Sequence, residues 1–131
     1  MIDRDKYQTD RWVTNMLHTY YDPCPIDYDG DIDESGLQKD WFIQSMPYDF
    51  RIFVNPPYSN VTPWVERAIE AYQENCKVYM LMKCDTSTKW FAMLHEAGAK
   101  FIFMNGRLRF STGKTAPFPS MLVVLDRDSH L

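Results

Sequence analysis

Arg51-Ile52-Phe53-Val54-Asn55-Pro56-Pro57-Tyr58 joins a strand-like apolar run to a proline-stiffened loop, and Thr62-Pro63 then opens a helical pattern. Ile52, Phe53 and Val54 are residue types that favour a buried strand. The two prolines stop that strand, because neither donates to a ladder and each fixes its own φ near −65°. Thr62-Pro63 reads as an N-cap followed by proline at the first helical position, and Val65, Ala68, Ile69 and Tyr72 recur at helical spacing as far as Asn75. A strand, a loop at its carboxyl end and a helix are thus predicted in succession.

The same pattern continues downstream. Lys77 to Lys83 is a short apolar run suited to a buried strand, and Thr86 or Ser87 caps a second helix with Trp90, Phe91, Leu94 and Ala97 on one face. Gly98 stops that helix. Lys100 to Met104 is a further strand, Asn105-Gly106 signals a hairpin into Arg107 to Phe110, and Met121 to Leu125 is another apolar, β-branched strand. Upstream, Tyr20-Tyr21 reads as a strand running into a tight turn at Asp22-Pro23-Cys24-Pro25. Strands alternating with helices predict one α/β domain over residues 1–131, with an open, mostly parallel sheet and ligands at the carboxyl ends of its strands. Asn55 falls at such an end.

Composition bounds the class of protein. The 131 residues are 45% hydrophobic and 15% aromatic, enough to bury one substantial core. No apolar run approaches membrane-spanning length, and the polar start Met1-Ile2-Asp3-Arg4-Asp5-Lys6 is unlike a signal peptide, so a soluble cytoplasmic protein is expected. Cys24, Cys76 and Cys84 form no Cys-x-x-Cys pair, and only His18, His95 and His130 accompany them, so no metal site is expected.

The net charge of −4 argues against a nucleic-acid partner until the charges are mapped. Residues 22–49 carry eight acidic side chains against Lys39 alone, whereas residues 83–114 carry Lys83, Lys89, Lys100, Arg107, Arg109 and Lys114 against Asp85 and Glu96. One edge of the molecule is therefore suited to phosphates. Arg107 and Arg109 share a parity along their predicted strand and point to one face.

The loop itself suggests a chemistry. An exocyclic amino nitrogen such as adenine N6 is a poor nucleophile, because its lone pair is delocalised into the ring. The Asn55 side-chain oxygen and the Pro56 carbonyl, held by stiff prolines, would each accept one N–H and draw the nitrogen toward tetrahedral geometry. Tyr58 offers a face for an unstacked base. Asp22 and Asp40 are candidate carboxylates for the hydroxyls and amino group of a methyl-donor nucleotide, with Trp41 beside Asp40 to cover its adenine. Amino groups of RNA bases and glutamine amides of proteins suit the same loop, and a catalytically inactive binding module of this fold is a third reading.

Taken in order, Asp22-Pro23-Cys24-Pro25, Gly36-Leu37 with Asp40-Trp41, Phe53 to Ser59 with Trp64-Val65, Thr86 to Phe91 and Gly106 to Phe110 resemble the phage-type DNA N6-adenine methyltransferase family. The resemblance covers about residues 10 to 125. It implies a small Rossmann-like fold, S-adenosylmethionine as cofactor, and methyl transfer to adenine N6 in double-stranded DNA. Asn55, Pro56, Pro57 and Tyr58 match the catalytic motif, Asp22 and Cys24 the turn that approaches the cofactor, and Asp40 and Trp41 the pair that holds its adenine. Asn55 also reaches the cofactor, and Ser59, Lys83, Arg107, Arg109 and Lys114 are the expected DNA contacts. The chain departs from the pattern in two places. Asp22-Pro23-Cys24-Pro25 stands where larger methyltransferases have a glycine-rich loop, and Trp12-Val13-Thr14-Asn15 replaces a Trp-x-Thr-Pro segment, with Thr14 as its expected cofactor contact. With no separate recognition domain, sequence specificity must come from loops or from the second subunit of a homodimer.

Overall fold

The computed structural model describes residues 15, 19–25, 31–104, 106 and 118–129. Its regular elements are α1 (Trp41–Ser45), β1 (Arg51–Val54), α2 (Thr62–Gln73), β2 (Lys77–Lys83), α3 (Lys89–Glu96), β3 (Lys100–Phe103) and β4 (Ser120–Leu125). Short 3-10 turns at Ser35–Gln38 and Met46–Tyr48 flank α1.

The four strands form one sheet in the order β1-β2-β4-β3. β1 and β2 are parallel, with α2 as the crossover between them, but β4 is antiparallel to both β2 and β3. An α/β architecture with an open sheet is as expected; a mostly parallel one is not, because the sheet is mixed. The reason lies in the last connection. Residues 104–119, which join β3 to β4, include Gly106, Gly113, Pro117 and Pro119, and antiparallel neighbours can be joined without the crossover element that parallel ones require. β1, β2 and β3 nonetheless share one direction, and Tyr21 adds a parallel bridge to Ile52 at the outer edge of β1.

Strand parity divides the core. Ile52, Val54, Val78, Met80, Met82, Met121, Val123 and Leu125 face α2 and α3, where Trp64, Val65, Ala68 and Leu94 are fully buried. Phe53, Leu81, Leu122 and Val124 form a smaller cluster on the other side with Tyr20 and Tyr79. Near-continuous burial along β2 and β4 follows from cover on both faces. Each large side chain so buried is worth about 1.5–3 kcal/mol.

The helix ends are largely those the sequence implies. Asn75 (φ 72°) and Gly98 (φ 90°) take the left-handed position after α2 and α3. In both, the last carbonyls are closed by Schellman pairs, Cys76 N to Ala71 O at 3.0 Å and Ala99 N to Leu94 O at 3.0 Å. The starts shift slightly. Val61 rather than Thr62 caps α2, without a side-chain bond, and the α3 cap is Thr88, whose hydroxyl accepts from Phe91 N at 3.2 Å, not Thr86 or Ser87. Ser87 is instead engaged with Asp85.

Candidate active site

Asn55 leaves the carboxyl end of β1 half-buried, followed by buried Pro56 and Pro57 and an exposed Tyr58. The Pro57 carbonyl accepts from Asn60 N at 3.3 Å, closing the turn that delivers the chain to α2. Among the described residues, neither the Asn55 side chain nor the Pro56 carbonyl has a hydrogen-bond partner. Two acceptors on adjacent residues are thus left for a ligand, at a strand end held rigid by prolines.

Beside this loop, at the carboxyl ends of β1 and β2, is a cavity of about 230 Å³. Pro56, Tyr58 and Phe118 line one part of it, with Trp90 beneath and Lys83 and Asp85 at the polar side. Tyr58 and Phe118 meet edge to face with centroids 4.6 Å apart. Drug-sized ligands generally need about 300–1,000 Å³, so this space suits a single heterocycle better than a whole nucleotide. The Lys83 ammonium lies 5.6 Å from the Phe118 centroid and 3.9 Å from an Asp85 oxygen. The Ser87 hydroxyl at 2.6 Å and the Ser87 N–H at 3.1 Å hold the Asp85 carboxyl below its ordinary range.

The upstream residues expected to meet a cofactor begin at the outer edge of β1. The Tyr21 bridge to Ile52 carries Asp22 along β1, and its carboxylate accepts from Cys24 N at 3.1 Å, which folds the turn. Gly36 packs directly on this turn: a Cβ there would stand 1.8 Å from the Pro23 carbonyl oxygen. The Gly36 carbonyl in turn accepts from Trp41 Nε1 at 2.8 Å, and Trp41 is buried with its ring 6.0 Å from that of Trp64. Asp40 is exposed and caps α1, its Oδ1 accepting from Ile43 N at 3.2 Å.

The chain matches the family described as DNA N-6-adenine-methyltransferase (Dam) over residues 1–124. It belongs to that family. Its activity is accordingly methyl transfer to the N6 amino group of adenine in DNA. A DNA N-6-adenine-methyltransferase of Haemophilus phage HP1 (strain HP1c1) is 28% identical over 144 residues, covering 95% of this chain and 80% of the relative. Another, of Escherichia phage T1, is 29% identical over 97 residues, which is 63% of this chain and 39% of that relative. No solved structure matches the chain.

For this methyltransferase the structure groups some of the expected site residues and separates others. Asn55, Pro56, Pro57 and Tyr58 share one loop, and Lys83 lines the cavity together with Pro56 and Tyr58. Ser59 is exposed on the same loop. Asp40 and Trp41 instead border a second cavity, of about 200 Å³, lined by Arg67, Glu70, Ala71 and Glu74. Those residues come from the middle and C-terminal end of α2, whereas Asn55 leads into its first turn; the two ends of α2 are roughly 18 Å apart. Thr14, Arg107, Arg109 and Lys114 lie outside the described residues, as does the hairpin expected at Arg107 to Phe110. Among the described residues no cluster is placed to hold a metal, and no helix is long and apolar enough to cross a membrane.

Phe118 and Asp85 are site residues that motif reading passed over. Phe118 precedes β4 and is brought to Tyr58 only by the insertion of β4 beside β2, where Cys84 N donates to Pro119 O at 2.8 Å. Its signal was the Pro117-Phe118-Pro119 triplet, an aromatic fixed between two prolines. Asp85 is one of only two acids in the basic segment of residues 83–114.

Proposed function

We propose that the enzyme takes its methyl group from S-adenosylmethionine and delivers it to an adenine swung out of double-stranded DNA into the cavity beside Tyr58. The observation that carries this reading is the cavity itself, sized for one base and lined by Pro56 and Tyr58, with Asn55 next to Pro56 in the chain and neither the Asn55 side chain nor the Pro56 carbonyl partnered among the described residues. A target atom inside stacked duplex is out of reach, so the base must leave the helix, at a cost of a few kcal/mol. Stacking on Tyr58 and Phe118 offsets that cost.

In this reading Asn55 Oδ1 and the Pro56 carbonyl oxygen accept the two amino hydrogens of the flipped adenine. Neither oxygen is basic enough to remove a proton beforehand. They polarise the amine and draw its N–H bonds out of the ring plane, which takes the lone pair out of conjugation, in an environment organised before the substrate arrives. When bound, the cofactor supplies a methyl group activated on a positively charged sulfonium. The donor set fits such a cofactor best on the Asp22 side of β1, where a half-buried carboxylate, the tightly packed Asp22-Pro23-Cys24 turn and Asn55 stand on neighbouring strand ends. Rossmann-like architecture is part of the same proposal: with Tyr21 added, the order is Tyr21-β1-β2-β4-β3, with three named strands in one direction and one antiparallel strand between β2 and β3. A homodimer, in which loops of both copies read the DNA sequence, is part of the same proposal.

Supplying labelled S-adenosylmethionine with separate pools of duplex DNA, RNA and protein tests the assignment. Label is expected in duplex DNA, as N6-methyladenine. Incorporation confined to RNA or to protein amides would replace this reading with the corresponding alternative, and none in any pool would leave an inactive binding module.

Two substitutions probe the parts. Tyr58→Ala is expected to lower kcat/KM by about 10–100-fold, from loss of roughly 1–3 kcal/mol of stacking, while Tyr58→Phe stays within about threefold of wild type. Equal losses in the two variants would transfer the role from the ring to the hydroxyl. Asp40 is the harder case, because its carboxylate already caps α1. Asparagine caps as well as aspartate but carries no charge. If Asp40 holds the donor's adenine, as the family resemblance assigns it, Asp40→Asn weakens S-adenosylmethionine binding by about tenfold in calorimetric titration with the melting temperature unchanged. Unaltered affinity would leave Asp40 as a cap and no more.

A further inference from the structure

We infer that Lys83, steadied by Asp85, is the residue that reads the ring of the target base, by donating a hydrogen bond to a ring nitrogen flanking the amino group, N1 or N7. This rests on the proposal that the flipped adenine occupies the cavity beside Tyr58.

Lys83 ends β2, where its pairing with Ser120 fixes the backbone and Cys84 N is tied to Pro119 O at 2.8 Å. Lys83 lines the cavity, its side chain 46% exposed and its ammonium 5.6 Å from the Phe118 centroid. The nearest carboxylate, Asp85, is 3.9 Å away, too far for a hydrogen bond but close enough to favour one placement of the cation. Asp85 is itself oriented by two hydrogen bonds from Ser87. The cavity therefore holds a positioned cation with no hydrogen-bond acceptor among the described residues.

An adenine there has its amino hydrogens committed to Asn55 and Pro56 and its faces to aromatic rings. What remains near N6 are two bare acceptors, N1 and N7. An ammonium complements either one; at N1 it also discriminates against guanine, whose N1 carries an N–H, whereas N7 is an acceptor in both purines and a contact there positions the ring without selecting it. A site built to bond a polar group rejects an analogue lacking it far more strongly than a purely apolar pocket does. Lys83 thereby acts as a positioning and specificity residue. Its charge is spent on a base edge, where the basic segment of the sequence suggests a phosphate contact.

The test pairs substrate and protein changes. Duplexes carrying adenine, 1-deazaadenine or 7-deazaadenine at the target are methylated by wild-type enzyme and by Lys83→Met, which keeps the length and apolar stem of the side chain. With wild type, one of the two deaza substrates is expected to lose about tenfold or more in kcat/KM. Lys83→Met should lose a similar factor on adenine and show no further loss on that deaza substrate. Multiplying losses, or a wild type indifferent to both deaza substrates, would overturn the assignment. So would a Lys83→Met defect equal on all three substrates with a flatter salt dependence, which marks a phosphate contact. The pocket reading is checked separately by 2-aminopurine at the target position in binding experiments. Its fluorescence should differ between wild type and Val61→Trp, which fills the cavity; identical signals would remove the base from this cavity and Lys83 from its ring together.

Discussion

Asn55→Ala is expected to lower kcat by about 10²–10³-fold, the usual cost of deleting one preorganised polar group that acts on developing charge. The effect should fall on kcat because the amide oxygen matters most as the amino nitrogen leaves planarity, while ground-state binding of DNA rests on many other contacts. Stability should change little. The Asn55 side chain is half-buried and has no hydrogen-bond partner among the described residues, so truncation leaves no buried group stranded. Single-turnover rates with saturating enzyme isolate the chemical step, and thermal melting confirms the fold. A variant that turns over within about threefold of wild type would take Asn55 out of the mechanism and leave the Pro56 carbonyl as the principal acceptor.

The fold was legible where local physics decides it. Apolar runs bounded by prolines and glycines placed β1, β2, β3 and β4 to within about a residue, and Asn75 and Gly98 announced the ends of their helices because left-handed backbone favours those residue types. Helix starts were less legible. Thr86, Ser87 and Thr88 are chemically similar caps in a row, and what decides among them is that Ser87 is drawn to the Asp85 carboxylate while Thr88 faces Phe91 N. The direction of β4 was not readable from its own sequence at all, since a buried strand has the same composition either way round.

The site divides along the same line. The candidate loop is contiguous in sequence, and its shape was legible because strand end, prolines and helix start are all local. Phe118 reaches Tyr58 across 60 positions of chain, through strand order alone. Trp41 shows what a local reading leaves out. Next to an acid it suggests a lid for a nucleotide base, yet burial and a hydrogen bond from its indole to Gly36 O make it part of the packing that supports the Asp22 turn. Asp40 carries its own capping signal, an aspartate directly before an apolar helical segment. Chemistry of residue types alone does not separate a carboxylate that binds a nucleotide from one that starts a helix.

Gly36→Ala is expected to damage stability and, with the Asp22 turn holding the cofactor as proposed, cofactor binding too, because Gly36 packs directly on Pro23 in that turn. The new Cβ would lie 1.8 Å from the Pro23 carbonyl oxygen, 2.7 Å from its carbon and 3.0 Å from its Cα. All three are backbone atoms, so no rotamer change relieves the contact and the two segments must separate. Overpacking of this kind generally costs about 1–3 kcal/mol, and a clash with main chain belongs at the upper end. For a chain of this size the melting temperature should fall by roughly 5–15 °C. Separation also moves the Gly36 carbonyl that accepts from Trp41, and displaces the turn that presents Asp22 and Cys24. S-adenosylmethionine affinity should therefore drop by at least tenfold at a temperature where the variant is still folded, whereas Gly98→Ala, at a left-handed position with open space around it, should lose stability without losing affinity. Calorimetric titration of both variants separates the two effects. Unchanged affinity in a destabilised Gly36→Ala would mean that the Asp22 turn serves the fold and that the cofactor is held elsewhere.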